Sequence, residues 1–99
     1  AGCTSRGTQG QGKPMMEQLR FTLDRIVRIV EAEGGSPADI TKITTFVTSM
    51  ADWLANADEQ QSLFKDYFQG VYPANTLVEI SALAEPGLDV EIEAIAVID

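Results

Sequence analysis

The sequence predicts a small α+β domain, and three observations carry that prediction. Apolar residues recur at helical spacing over the first third of the chain. A β-branched run follows, and two alternating segments flank a Pro-Gly turn near the end. The order helix, strand, helix, strand, strand places two helices on one face of a sheet. With 99 residues there is room for one domain and a modest core, the kind that often gains from self-association.

Residues 1–13 are rich in Gly, Ser, Thr and Gln and form a Gly-rich N-terminal loop by composition, ahead of a domain over 14–99. Gly7, Gly10 and Gly12 invite a phosphate-loop reading, but no Gly-Lys-Ser/Thr follows them and no strand pattern precedes them. A plain linker accounts for them better. Pro14 suits the first turn of a helix, and Met15, Met16, Leu19, Leu23, Ile26, Val27 and Val30 share one stripe, with Gln18, Arg25 and Glu31 on other faces. Gly34-Gly35 stops this helix, predicted over 14–33. Ser36-Pro37-Ala38-Asp39 is a capped turn. The β-branched run 40–48 is a strand with the faces Ile43/Thr45/Val47 and Thr44/Phe46/Thr48.

A second helix is predicted over 52–68, marked by Trp53, Ala57, Phe64, Tyr67 and Phe68, with Gly70 as its C-cap. Its polar middle, 56–61, leaves open a start near Asp58. The segments 75–83 and 88–98 are expected to pair as a β-hairpin around Glu85-Pro86-Gly87, a type II turn. Thr76, Val78, Ile80 and Ala82, with Leu88, Val90, Ile92, Ala94, Ala96 and Ile98, form the face expected to meet the helices.

Charge and composition remove several function classes. Seven Lys and Arg oppose 15 Asp and Glu, a net charge of −8, which repels nucleic acid. No apolar run approaches the ~20 residues of a membrane span. No signal peptide is visible, and a cytoplasmic location is expected. Cys3 is the single cysteine, so no internal disulfide forms, and without histidine there is no His-based triad and no ordinary zinc site. Carboxylate spacing supports no metal site, and no cofactor is expected. Trp53 and Phe64 read as core. Glu79, Glu91 and Glu93 fall on the other face of the hairpin with Leu77, Ile95 and Val97. A face that is polar at one end and apolar at the other suggests a subunit contact beside a wet cavity, with Glu91 at the boundary.

Tyr72-Pro73-Ala74-Asn75-Thr76-Leu77-Val78-Glu79-Ile80, followed by Val90-Glu91-Ile92-Glu93-Ala94-Ile95-Ala96-Val97, resembles the RidA/YjgF family, also called the endoribonuclease L-PSP family. That family carries P-A-R-[ST]-x-V-E-V and then V-E-I-E-A-I-A. The stretch from Gln18 through Leu23-Asp24 to Glu33-Gly34 is similar to its first helix, and Asp39-Ile40-Thr41-Lys42-Ile43-Thr44-Thr45-Phe46-Val47 to its next strand. The resemblance covers roughly 16–99 and implies a chorismate-mutase-like layer of two helices on a mixed sheet. It also implies a homotrimer with small-molecule clefts between subunits, and that the family's first two strands are missing, leaving a sheet edge uncovered.

Active members hydrolyse reactive enamines and imines. Carried over, the water-placing glutamate is Glu91, the glycine whose segment holds ligand is Gly2 with Cys3 beside it, and Gln61 lies near a position that is often Asn. The helix segment before Gln61 is a few residues longer than usual. The arginine that clamps the substrate carboxylate is Asn75 here, and a neutral amide cannot make that charged two-pronged pair. The resemblance therefore leaves two functions open: a deaminase with weakened carboxylate binding, or a non-catalytic trimeric module that binds a small molecule or a partner. A ribonuclease role, sometimes attached to the family, fits poorly with a net charge of −8 per chain.

Overall fold

A computed structural model describes residues 2–99. Its elements are β1 (Gly2–Cys3), α1 (Met15–Ala32), a 3-10 turn at Pro37–Asp39, β2 (Ile40–Val47), α2 (Met50–Ala55), α3 (Ala57–Phe68), β3 (Ala74–Glu79) and β4 (Val90–Ala96). The fold is α+β, with two long helices, α1 and α3, beside a four-stranded mixed sheet of order β1-β4-β2-β3.

α1 forms where the apolar stripe predicts it. Met15, Met16, Leu19, Leu23, Ile26 and Val30 are buried. It ends as the glycine pair requires: Gly34 takes a φ of 88°, and the Gly35 N–H returns to the Val30 carbonyl at 2.9 Å. Gln18 departs from the expectation. It is fully buried rather than on an outer face.

The second helix is broken into α2 and α3 at Asn56, whose Nδ2 donates to the Asp52 carbonyl at 2.8 Å. Ser49 caps α2 by accepting from the Asp52 N–H at 3.1 Å. At the far end Gln69, not Gly70, is the C-cap, with a left-handed φ of 55°.

The expected hairpin does not form. β2 lies between its two arms, parallel to β3 and antiparallel to β4. A parallel neighbour needs a crossover, which α2 and α3 supply. The Pro86-Gly87 turn is present, with Gly87 at a φ of 83° and the Leu88 N–H on the Glu85 carbonyl at 3.4 Å. It leads into β4 from a loop, because β3 ends at Glu79 rather than at 83.

Register also reverses the predicted faces of β3. Ile43 opposes Asn75 and Thr45 opposes Leu77, so Asn75 and Leu77 share the helix-facing side of the sheet. Leu77 packs on the core, while Val78 opposes Phe46 on the open side. Glu79 lies on the helix-facing side too, and its Oε1 accepts the Met50 N–H at 2.6 Å at the start of α2. On β4 the predicted faces hold: Val90 and Ile92 are buried, and Ile95 is exposed.

The core is the layer between helices and sheet, where Leu19, Leu23, Ile43, Val47, Trp53, Phe68, Val90 and Ile92 meet. The open side carries Lys42, Thr44 and Phe46 on β2, Thr76 and Val78 on β3, and Glu91, Glu93 and Ile95 on β4. Among the described residues no helix is long and apolar enough to cross a membrane.

Candidate functional site

The residues singled out from the sequence form two groups. At the β3 edge, Asn75 and Gln61 share a cleft of about 380 Å³ whose walls are Ile43, Phe64, Phe68, Tyr72 and Pro73. Local sequence explains the arrangement. Gln61, Phe64 and Phe68 recur at helical spacing along α3, and the left-handed Gln69 with Gly70 turns the chain back so that Tyr72-Pro73 closes the far side. Aromatic packing stiffens the wall: Phe64 lies 6.2 Å from Trp53 and 5.9 Å from Phe68 between ring centroids. The buried Thr45 hydroxyl donates to Asn75 Oδ1 at 2.9 Å.

At the β1 edge, Gly2 lies against Glu91. A Cβ on Gly2 would overlap the Glu91 carboxylate, so glycine lets the two approach this closely without the Glu91 side chain moving. Glu91 is half-buried on the open side of the sheet, opposite Phe46. Cys3 adjoins this pair in sequence but faces the helices, in a groove lined by Ile26, Ile29, Ala94 and Ile98. Burial pushes the Cys3 thiol up from its ordinary value. Arg25 pulls it partly back, and Glu91 adds to the rise. The thiol is therefore protonated at neutral pH and a poor nucleophile.

One chain does not bring the two groups together. β1 and β3 are the opposite edges of the sheet, about 14 Å apart at three strand spacings. Asn75 and Glu91 also lie on opposite faces.

The sequence did not mark the network around Gln18. Its Nε2 donates to the Lys13 and Gly87 carbonyls at 2.8 and 3.0 Å and to Asp89 Oδ2 at 3.0 Å, while its Oε1 accepts the Asp89 N–H at 2.8 Å. Asp89 Oδ1 in turn accepts from Thr48 at 2.9 Å. Arg25 anchors the N-terminal loop by donating to the Thr4 and Arg6 carbonyls, both at 2.9 Å. These contacts tie the loop, α1 and the approach to β4 into one frame behind Glu91. Among the described residues no three His, Cys, Asp or Glu gather as metal ligands.

A small α+β domain, with one neutral cleft at a sheet edge and one carboxylate seated on a glycine at the other, is the class that this fold and these groups define. The sequence pattern of the family described as endoribonuclease L-PSP matches residues 2–98, and the chain belongs to that family. It is 36% identical over 80 residues to the 2-iminobutanoate/2-iminopropanoate deaminase of Escherichia coli strain K12, a match covering 81% of this chain and 61% of that protein. A RutC family protein of Haemophilus influenzae is 36% identical over 83 residues, covering 84% of this chain and 63% of the relative. The chain thus spans less than two thirds of the length of these curated relatives. Among solved structures, Rv2704 of Mycobacterium tuberculosis, described as a member of the YjgF/YER057c/UK114 family, superposes with a TM-score of 0.81 at 33% identity. That match covers 99% of this chain and 75% of Rv2704.

Proposed function

We propose that the chain acts as a hydrolytic deaminase of reactive imines and enamines, as a homotrimer with its clefts at subunit boundaries. The observation that carries this reading is the half-buried Glu91 carboxylate held against Gly2, in a chain similar to a 2-iminobutanoate/2-iminopropanoate deaminase. A carboxylate so placed accepts a proton from water and directs its oxygen at the C=N carbon. Water adds across the C=N bond, the carbinolamine expels ammonia, and a C=O group remains.

A trimer supports the reading because one chain keeps its two groups of residues at opposite sheet edges. In an assembly, the β3 edge of one subunit can complete the Glu91 side of the next. Asn75 weakens the hold on a substrate carboxylate. Replacing a desolvated charged clamp by a neutral amide removes roughly 2–5 kcal/mol of binding. The neutral lining of the cleft also favours a second reading, a binding module without catalysis.

The test generates 2-iminopropanoate with an amino-acid oxidase and follows the semicarbazide adduct that an active deaminase prevents. The expected result is slow turnover, lost in Glu91→Gln and raised about tenfold or more in Asn75→Arg, as about 1.4 kcal/mol of added transition-state binding implies. Imine decay unchanged by either the protein or its Asn75→Arg variant would favour the binding module.

A further inference from the structure

The Asn75 cleft carries information beyond the loss of an arginine. None of its lining side chains bears a charge at neutral pH. The cation on the neighbouring strand, Lys42, opposes Ala74 and so lies on the other face. Its Nζ is committed to the Ile43 carbonyl at 2.7 Å, to Thr76 Oγ1 at 2.8 Å and to Thr44 Oγ1 at 3.3 Å. Arg6 pairs with Glu85 at 2.8 Å.

The orientation of the Asn75 amide is set from beneath. Thr45 is fully buried, and its hydroxyl occupies Asn75 Oδ1. That leaves Nδ2 of the cleft-lining Asn75 with two hydrogens and no protein partner among the described residues. The cleft therefore offers neutral donors on an aromatic floor. A carboxylate entering it would lose water without gaining a counter-charge, whereas an amide or ketone oxygen loses far less and still accepts from Nδ2.

We infer that this cleft takes an uncharged carbonyl or carboxamide group carried on an apolar or aromatic frame, and discriminates against the corresponding carboxylate. The inference rests on the deaminase reading only for its consequence. Where that reading holds, neutral imines such as α-imino amides are preferred as substrates over α-imino acids.

Titration calorimetry of the full chain with 3-phenylpropanamide and 3-phenylpropanoate tests it. The amide is expected to bind at least about tenfold more tightly. Asn75→Asp removes the donors at an exposed strand position and should cost the amide about tenfold, while Asn75→Arg should reverse the preference. Thr45→Val keeps the side-chain volume, frees the Asn75 amide to turn and should erode the preference. Equal or tighter binding of the carboxylate overturns the inference, as does binding of neither probe.

Hydrolysis of 2-iminopropanamide and 2-iminopropanoate separates the two claims. Amide-selective binding with neither imine hydrolysed sinks the deaminase reading and leaves the cleft assignment standing. Faster hydrolysis of 2-iminopropanoate does the opposite.

Discussion

Gln18 sits among the apolar residues of α1 and exposes none of its surface, yet its amide leaves no group unsatisfied. Its partners Gly87 and Asp89 are some seventy positions away along the chain, so spacing along the helix gave no sign of them. Removing the amide strands the Lys13 carbonyl, the Asp89 N–H and one Asp89 carboxylate oxygen, while the Gly87 carbonyl keeps the Gly12 N–H at 2.9 Å. Gln18→Leu should lower stability by about 2–3 kcal/mol at neutral pH, read as a shift in the urea midpoint. Cys3 sets a pH dependence. Burial raises its pKa in the folded state above the ordinary 9.0, so the native chain keeps this proton longer than the unfolded chain. The stabilisation is complete below the ordinary value and is lost as pH rises above it. Tyr67, raised above 10.0 chiefly by burial and by Asp24, acts in the same direction. The urea midpoint should therefore fall as pH rises above about 9, with the Tyr67 contribution lost above about 10, and Cys3→Ala should flatten the first part of that fall.

α1 and the core face of β4 were legible because each obeys one period and buries one face. β3 was not. It is an edge strand, half-buried at Leu77 alone, so its hydropathy says little about which side meets the helices. The insertion of β2 between β3 and β4 was equally hidden, since a Pro-Gly turn between alternating segments satisfies a hairpin locally. The candidate site followed the same division. Glu91 and Gly2 do meet, and Asn75 and Gln61 do share a cleft, but spacing alone could not show that these are separate places. α3 has one fully buried anchor among several partly buried contacts. Phe68 is fully buried against the sheet layer, Leu63, Phe64 and Tyr67 pack only in part, and half of the helix is exposed. Phe68→Ala should cost about 3–5 kcal/mol and open the cleft floor, seen as loss of the cooperative unfolding transition at moderate urea.

The whole domain has one side of its sheet uncovered among the described residues. Ile95 is 60% exposed there, opposite Lys42 and two residues from Glu93, with Phe46, Val78 and Glu91 farther along the same face; Val97, just past the end of β4, is 61% exposed. Such a face suits a second copy better than water. Sedimentation at micromolar concentration should give a mass near three times the 10.7 kDa of one chain. Ile95→Asp should shift it to monomer with the far-ultraviolet dichroism of the helices kept. A clean monomer from the unaltered chain would refute the trimer. With −8 per subunit, association should tighten as salt rises and screens the repulsion.

The position of β4 has a consequence for the order of events during synthesis. It is the last of the four strands to be made, yet it fills a central place, between β1 and β2. Among the described strands, β1 gains its neighbour only when residues 90–96 are available, and until then β2 and β3 can form only a parallel pair in which the β2 edge that β4 fills is also open. Arrival of β4 is therefore what joins β1 to β2 in the sheet, a pairing between residues far apart in sequence. During that interval the bare edge of β2 is the surface most able to pair with the wrong strand. The glutamates at 91 and 93 place charge on the segment that must find it first.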